Sequence, residues 1–340
     1  MSLNKRIFTG GPAPVENAFK AVAYTGNGSS NRSITGLGFQ PDLVWIKSRS
    51  FGRNHYWYDT TRGANKQILS NATDAEATIT GRLTAFNTDG FTLGSSSEVN
   101  NSGETYVAFA WACNGGTTST NTDGNRNSTV QVNNDTGLSI VNYTGGDTGI
   151  GGSDTVGHGL TGIPRFIIGK STNWANSWIT YLHDGTNYYH GYLNDNGALT
   201  KNGSNTQVGT SSSLPTSSVI NPSHVGTDNG NYDYMLWCWE PKAGYSSFGS
   251  YTGNGGGSNN VITGLGFQPD FLILRGTDSN NWRMYNSAAE GILYANLSNS
   301  EDGTNNQGHV SFQSDGFTLL TDNNNSNNVE HIYMAWRNAT

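Results

Sequence analysis

Nine consecutive residues of this chain occur twice without a single change: Ile34-Thr-Gly-Leu-Gly-Phe-Gln-Pro-Asp42 and Ile262-Thr-Gly-Leu-Gly-Phe-Gln-Pro-Asp270. Tyr-Thr-Gly-Asn-Gly precedes each copy, from Tyr24 and from Tyr251, and a short apolar run follows each, Leu43-Val-Trp-Ile46 and Phe271-Leu-Ile-Leu274. A diverged third copy lies between them: Tyr143-Thr-Gly-Gly, then His158-Gly-Leu-Thr-Gly-Ile-Pro-Arg-Phe-Ile-Ile168. Downstream, Asp89-Gly-Phe-Thr-Leu93 matches Asp315-Gly-Phe-Thr-Leu319, and each copy closes on an aromatic strand ending at Trp111, Trp237 or Trp336. From Pro41, Pro164 and Pro269 to those tryptophans the spacing is 70, 73 and 67 residues. Units of roughly 90–110 residues are of domain size and too long for a solenoid.

Each unit reads as all-β. The runs after the proline are short, rich in branched and aromatic residues, and bounded by Pro-Asp on one side and polar loop on the other. In Tyr106-Val-Ala-Phe-Ala-Trp111 both alternating faces are apolar, the pattern of a strand in the middle of a sandwich. Asp-Gly before Phe-Thr-Leu is a turn feeding a strand. Helical periodicity is nearly absent; the best candidate is the short, polar Ser70–Ala77. The expected fold is three tandem antiparallel β-sandwich repeats, jelly-roll-like, with a short extended N-terminal arm. The expected divisions are an arm over 1–22, a first sandwich over 23–114, a linker over 115–134, a second sandwich over 135–240 and a third over 241–340. The linker is nearly all Gly, Thr, Ser and Asn, and the second junction is much shorter, so the second and third units are expected to hold the more fixed mutual orientation. Lys5, Arg6, Ile7 and Phe8 mark the arm as an anchor.

Composition narrows function by exclusion. Charged residues are 13% and apolar residues 34%, yet aromatics are 11%, with nine Trp. Such a chain folds around aromatic cores and carries long amide-rich loops. A net charge of −7 supplies no basic stripe for a phosphate backbone, so no nucleic-acid partner is expected. No apolar run is long enough to span a membrane, and the start has no signal-peptide core, so folding in a cytoplasm is expected. Cys113 and Cys238 form no metal motif and read as buried free thiols.

Enzymatic signals are poor. The seven histidines are scattered, without a zinc-protease spacing. Asp42, Asp89, Asp270 and Asp315 recur between units, but each adjoins Pro or Gly at a turn, where aspartate caps backbone. The stretch from Asn121 to Asn127 looks like a calcium loop only superficially, with its glycine misplaced and no bidentate glutamate. The Asn-x-Ser/Thr triplets at Asn27, Asn71 and Asn296 are expected by chance. No catalytic residue, metal or cofactor is expected. The copies differ most in the middle of each unit, where aromatic residues gather. Tyr56, Trp57, Trp178, Tyr188, Tyr189, Tyr192 and Trp282 are the candidate ligand contacts, because flat rings beside amides and carboxylates suit sugars. The competing reading places Trp57, Trp178 and Trp282 in the sandwich cores.

The unit signature, from Tyr-Thr-Gly-Asn-Gly through the Tyr/Ala/Trp strand, resembles repeated domains in structural proteins of marine tailed bacteriophages, including those infecting cyanobacteria. It covers Ala23 to Trp336, strongly in the first and third units and weakly in the second, which lacks Asp-Gly-Phe-Thr-Leu. The resemblance implies a virion component exposed on the particle exterior and assembled in the host cytoplasm. The leading expectation is a non-enzymatic tail fibre or appendage protein that binds host-surface glycan and other virion proteins, the latter through its arm, and that forms a homo-oligomer. The alternatives are an architectural capsid- or tail-decorating protein without a host ligand, and a glycan hydrolase.

Overall fold

A computed structural model describes residues 16, 18–146, 154–202, 214–222, 230–256, 259–289, 291–302, 309–321 and 324–339. The described chain is all-β and antiparallel, of sandwich type. Sheet I runs, in spatial order, Phe19–Thr25, Thr105–Trp111, Leu43–Ser48, Tyr56–Asp59, Lys66–Leu69 and Ala77–Thr78. Sheet III repeats the order with Ser246–Thr252, Glu330–Trp336, Phe271–Gly276, Arg283–Asn286 and Leu293–Tyr294. Sheet II contains it too, as Leu138–Thr144, Asp233–Trp239, Phe166–Ser171, Ile179–His183, Tyr188–Tyr192 and Thr200–Lys201. Registers also correspond: Phe19 and Leu43 both face Trp111, Leu138 and Phe166 both face Trp239, and Ser246 and Phe271 both face Trp336.

One face of each large sheet is covered locally. Arg32–Thr35, Gly90–Leu93 and Leu83–Asn87 form a three-stranded sheet over sheet I, and Asn260–Thr263, Gly316–Leu319 and Val310–Gln313 form its counterpart over sheet III. Over sheet II the described cover is the short pair Val156–Gly157 and Val219–Ile220. The repeated motifs build these covers. Asp89 accepts from the amides of Gly36 and Gly38 at 3.0 and 2.7 Å, and Asp315 from those of Gly264 and Gly266 at 3.0 and 2.6 Å. Gly36 and Gly38 sit at φ +85° and +84°, a region that favours glycine, and Leu37 and Phe39 are turned inward between and beyond them. Gly90 must lack a Cβ, which would fall 1.9 Å from the Ile34 carbonyl oxygen. Asp42 accepts from the amides of Cys113, Gly115 and Gly116 and from the Thr60 hydroxyl. These aspartates hold backbone, as expected.

The other faces converge, and here the structure departs from the sequence reading. Leu43 and Trp45 point away from Val44 and Ile46 and join Phe109 and Trp111 in a core shared with sheets II and III. Trp111, Trp239 and Trp336, each the last residue of its strand (in the second repeat two residues beyond the Trp237 expected from the sequence), form a closed trio: centroids lie 6.0, 5.6 and 5.8 Å apart with planes crossed at 62°, 77° and 68°. The strand pattern correctly showed two buried faces; the second is buried against the other two sheets rather than within a self-contained sandwich. Sandwiches strung out in tandem would leave these tryptophans in water, which the cost of exposing apolar area forbids.

The expected linker is also structured. Ser119–Asn121 and Ser128–Asn133 extend sheet II beyond Leu138–Thr144. Gln131 is buried and its amide donates to Thr60 and Thr61 of the first repeat at 2.9 and 3.0 Å. A polar composition hid strands whose side chains bond across a junction instead of packing in oil. Ser70–Ala77 is irregular apart from its last residue; the short helix is Ser97–Asn100, capped by Ser96. Phe19–Val22, placed with the arm in the sequence reading, belong to sheet I, and Lys5, Arg6, Ile7 and Phe8 lie outside the described residues.

Candidate functional site

Three seams close the sheets into a ring, and they account for most of the aromatic residues singled out above. The residue before the fourth strand of each repeat turns a ring nitrogen across a seam. Trp178 Nε1 donates to the carbonyls of Leu69 and Ala72 at 2.8 and 3.1 Å, so sheet II reaches the first repeat. Trp282 Nε1 donates to Tyr192 O at 2.9 Å, so sheet III reaches sheet II. His55 Nε2 lies 3.0 Å from Tyr294 O, so sheet I reaches sheet III. Each of these three residues gives its own backbone amide to an asparagine side chain, Asn71, Asn194 or Asn296. Main chain crosses at the same places: Glu76 N to Thr172 O at 2.8 Å, Leu199 N to Thr277 O at 2.9 Å and Glu301 N to Arg49 O at 2.7 Å.

Trp57, Trp178 and Trp282 are therefore core, each fully buried, and cannot meet a ligand. The same correction applies to three of the four tyrosines. Tyr56 is buried with its hydroxyl on Glu98, Tyr188 stacks on Tyr181, and Tyr189 is buried with its hydroxyl 3.0 Å from Asp184. Tyr192 is half-buried against His190, its carbonyl used by Trp282. Both cysteines are buried free thiols, as expected.

The seams also bury cations. Lys47, Lys170 and Arg275 occupy one register position in the three sheets and are fully buried. Among the described residues none makes an ion pair; each caps loop carbonyls. Lys47 Nζ donates to Ser48 O at 2.7 Å; Lys170 Nζ donates to Ser171 O at 3.0 Å and to Asn176 Oδ1 at 2.8 Å; Arg275 donates to Gly197 O across the seam. Burial lowers the Lys47 ammonium to about 7, Lys170 to about 8 and Arg275 to about 10. Their recurrence in all three sheets marks a scaffold role: they tie each loop to the end of its strand. Among the described residues no group of three or more His, Cys, Asp or Glu is placed to hold a metal ion.

Among the described residues the remaining surface is amide-rich, with two exposed aromatic side chains, Trp174 and Phe51. Eight of the nine tryptophans are at most 1% exposed, and the ninth, Trp174, is 36% exposed. Its ring lies parallel to that of half-buried Tyr232, 4.7 Å between centroids at 13°. The counterpart of Trp174 in the first repeat is Phe51, 53% exposed beneath the Arg53 guanidinium; both donate their backbone amide to the serine that ends the preceding strand, at 3.2 Å. The turn around the stack is held by Asn173, whose side chain donates to Asp233 Oδ2 and accepts from Asp233 N.

Beside this turn lies a cleft of about 400 Å³ on the seam between the first repeat and sheet II. Thr61, Arg62, Lys66 and Glu76 form one wall, Thr172 and Asp233 the other, and Thr118 and Thr129, from the extra hairpin of sheet II, close it beside Asn142. Neither ring of the stack lines the cleft: Tyr232 follows the alternation of its strand onto the other face of sheet II, where it packs beside Tyr234 and Leu236. Trp174 is not among the candidate contacts drawn from the sequence. The available signal was its place at the start of Trp174-Ala-Asn-Ser-Trp178, on a polar loop tip, where Trp178 already stands directly before the next strand.

Residues 15–339 match a family described as a domain of unknown function, DUF7483. The chain belongs to that family. Its match runs across all three sheets and both junctions between them, the same extent over which the seams hold the molecule together. No curated protein matches the chain.

Proposed function

We propose that this chain is a non-enzymatic protein on the exterior of a tailed-bacteriophage virion, of the fibre or appendage type, that attaches to host-surface glycan through the Trp174–Tyr232 stack. The observation that carries the reading is the stack itself: one partly exposed indole in a chain that buries every other tryptophan, on a turn held by the Asn173 amide and Asp233. An exposed aromatic face presents apolar surface to the C–H side of a pyranose while neighbouring polar groups take its hydroxyls. The virion assignment draws on the resemblance of the repeated motifs. A non-enzymatic role is supported by the use made of the polar residues, since the recurring aspartates hold amides and the buried lysines hold carbonyls.

Glycan-array binding by the intact chain and by Trp174→Ala tests this. Binding that the variant loses is the expected result. Silence across the array, with tight binding to purified capsid or tail, would replace attachment by the architectural alternative, and reducing sugar released from host polysaccharide would replace it by hydrolysis.

A further inference from the structure

Extending the attachment reading, on which this inference rests, we infer that Phe51 is a second glycan contact, so that one chain holds a repeating polysaccharide at Phe51 and Trp174 together. The two rings occupy the same place in the first and second repeats, four residues after the buried lysine. Their loops are built alike. Lys47 Nζ donates to Phe51 O at 3.4 Å and Lys170 Nζ to Trp174 O at 3.2 Å, while Ser48 and Ser171 each accept the ring residue's amide at 3.2 Å. Both main-chain polar groups of each ring residue are thereby fixed by fully buried side chains. The rings are backed from equivalent places too. Trp174 lies against Tyr232, the residue directly before the strand Asp233–Trp239. Glu104 stands directly before the equivalent strand, Thr105–Trp111, and takes the Arg53 guanidinium at 2.6 and 2.8 Å; that guanidinium lies 5.9 Å from the Phe51 ring centroid. The third repeat changes all three positions together: Arg275 replaces the lysine, Gly276 the serine and Ser279 the ring. Arg275 reaches across the seam to Gly197 O instead.

A ring left in water forgoes roughly 25 cal/mol for each Å² of apolar surface not buried. A loop whose main chain is fixed while its ring stays outside therefore presents that ring. Such a surface, already ordered, loses little freedom when a pyranose stacks on it. Two rings on one framework suit a polymer. Sheets I and II share a core and the seam bonds of Trp178, so packing rather than a linker sets the spacing of the rings. Lys47 faces Val107 and Lys170 faces Met235, each four residues before a tryptophan of the central trio, which puts both loops at the strand ends remote from it. A repeating glycan that meets one ring offers further repeats to the other at high effective concentration, and two weak contacts in a rigid frame multiply.

The test measures retention of the intact chain on immobilised mannan, dextran, β-glucan and alginate, for wild type, Phe51→Ala, Phe51→Trp, Trp174→Ala and the double alanine variant, once all show the same thermal transition. On the polymer that holds the wild type, each single alanine variant should lose about tenfold or more in retention, the double variant should lose the remainder, and Phe51→Trp should be retained at least as well as wild type. The methyl glycoside of the same sugar, one ring in size, uses one contact at a time and should separate wild type from the single variants far less than the polymer does. Equal losses on polymer and glycoside would overturn the bridged polymer. Loss in Trp174→Ala with Phe51→Ala unchanged would overturn the second contact and leave the attachment reading standing. Loss in Phe51→Ala alone, retention indifferent to both, or none on any polymer would overturn the attachment reading and this inference with it.

Discussion

Replacing Trp111 by alanine should destabilise the whole molecule. Trp111 is 1% exposed and meets Trp239, Trp336, Phe19 and Phe271 at centroid distances of 6.0, 5.6, 4.9 and 6.0 Å. Its indole N–H has no hydrogen-bond partner among the described residues, so what the variant loses is packing. Truncating a buried tryptophan costs about 3–5 kcal/mol, and its aromatic pairs put this one toward the upper end. A chain of 340 residues unfolds with an entropy of about 0.7 kcal/mol per kelvin, so a loss of about 4 kcal/mol lowers the melting temperature by about 6 °C. The assay is differential scanning calorimetry. Because the trio belongs to three sheets at once, a single transition should move as a unit with calorimetric and van't Hoff enthalpies in agreement. If Trp111→Ala shifted about a third of the unfolding enthalpy and left the rest in place, the sheets would be independent domains and the shared-core reasoning would be refuted.

Two further outcomes follow from the seams. Trp178→Phe removes the donor that serves Leu69 O and Ala72 O and should cost about 1–3 kcal/mol in urea unfolding, with m unchanged; a neutral result would show that water takes over both carbonyls. Lys47 has a folded value of about 7 against an ordinary 10.5, so between those limits the unfolded chain binds more protons and stability should rise with pH, most fully present above 10.5 and lost as pH falls to 7. Lys47→Met should flatten that rise in a series of melts from pH 7 to 10, while a slope unaltered by the variant would place its origin elsewhere.

The fold class was legible because strand alternation is local. Val44 and Ile46 against Leu43 and Trp45 declare two buried faces from sequence alone. What lies on the second face was not legible, because the groups that bind one sheet to the next are backbone carbonyls, such as Leu69 O and Tyr192 O, which leave no trace in the sequence. The donors facing them are two tryptophans and a histidine, so side-chain identity does not mark their equivalence either. A usable signal did exist in Lys47 and Lys170, cations placed just after apolar runs at matching positions. The candidate site was half legible. The aromatic-rich middle segments do supply the exposed ring, but the sequence could not separate Trp174 from Trp178, four residues apart, one stacked on Tyr232 at the surface and the other sealing a seam.

Tryptophan quenching addresses the attachment site most directly. With eight indoles buried, Trp174 should be the one that iodide reaches in the native protein, and the quenchable part of the emission should vanish in Trp174→Ala. A saturating oligosaccharide of the bound glycan should shield that part in the wild type. Saccharide that binds while iodide still quenches Trp174 to the same extent would contradict the account.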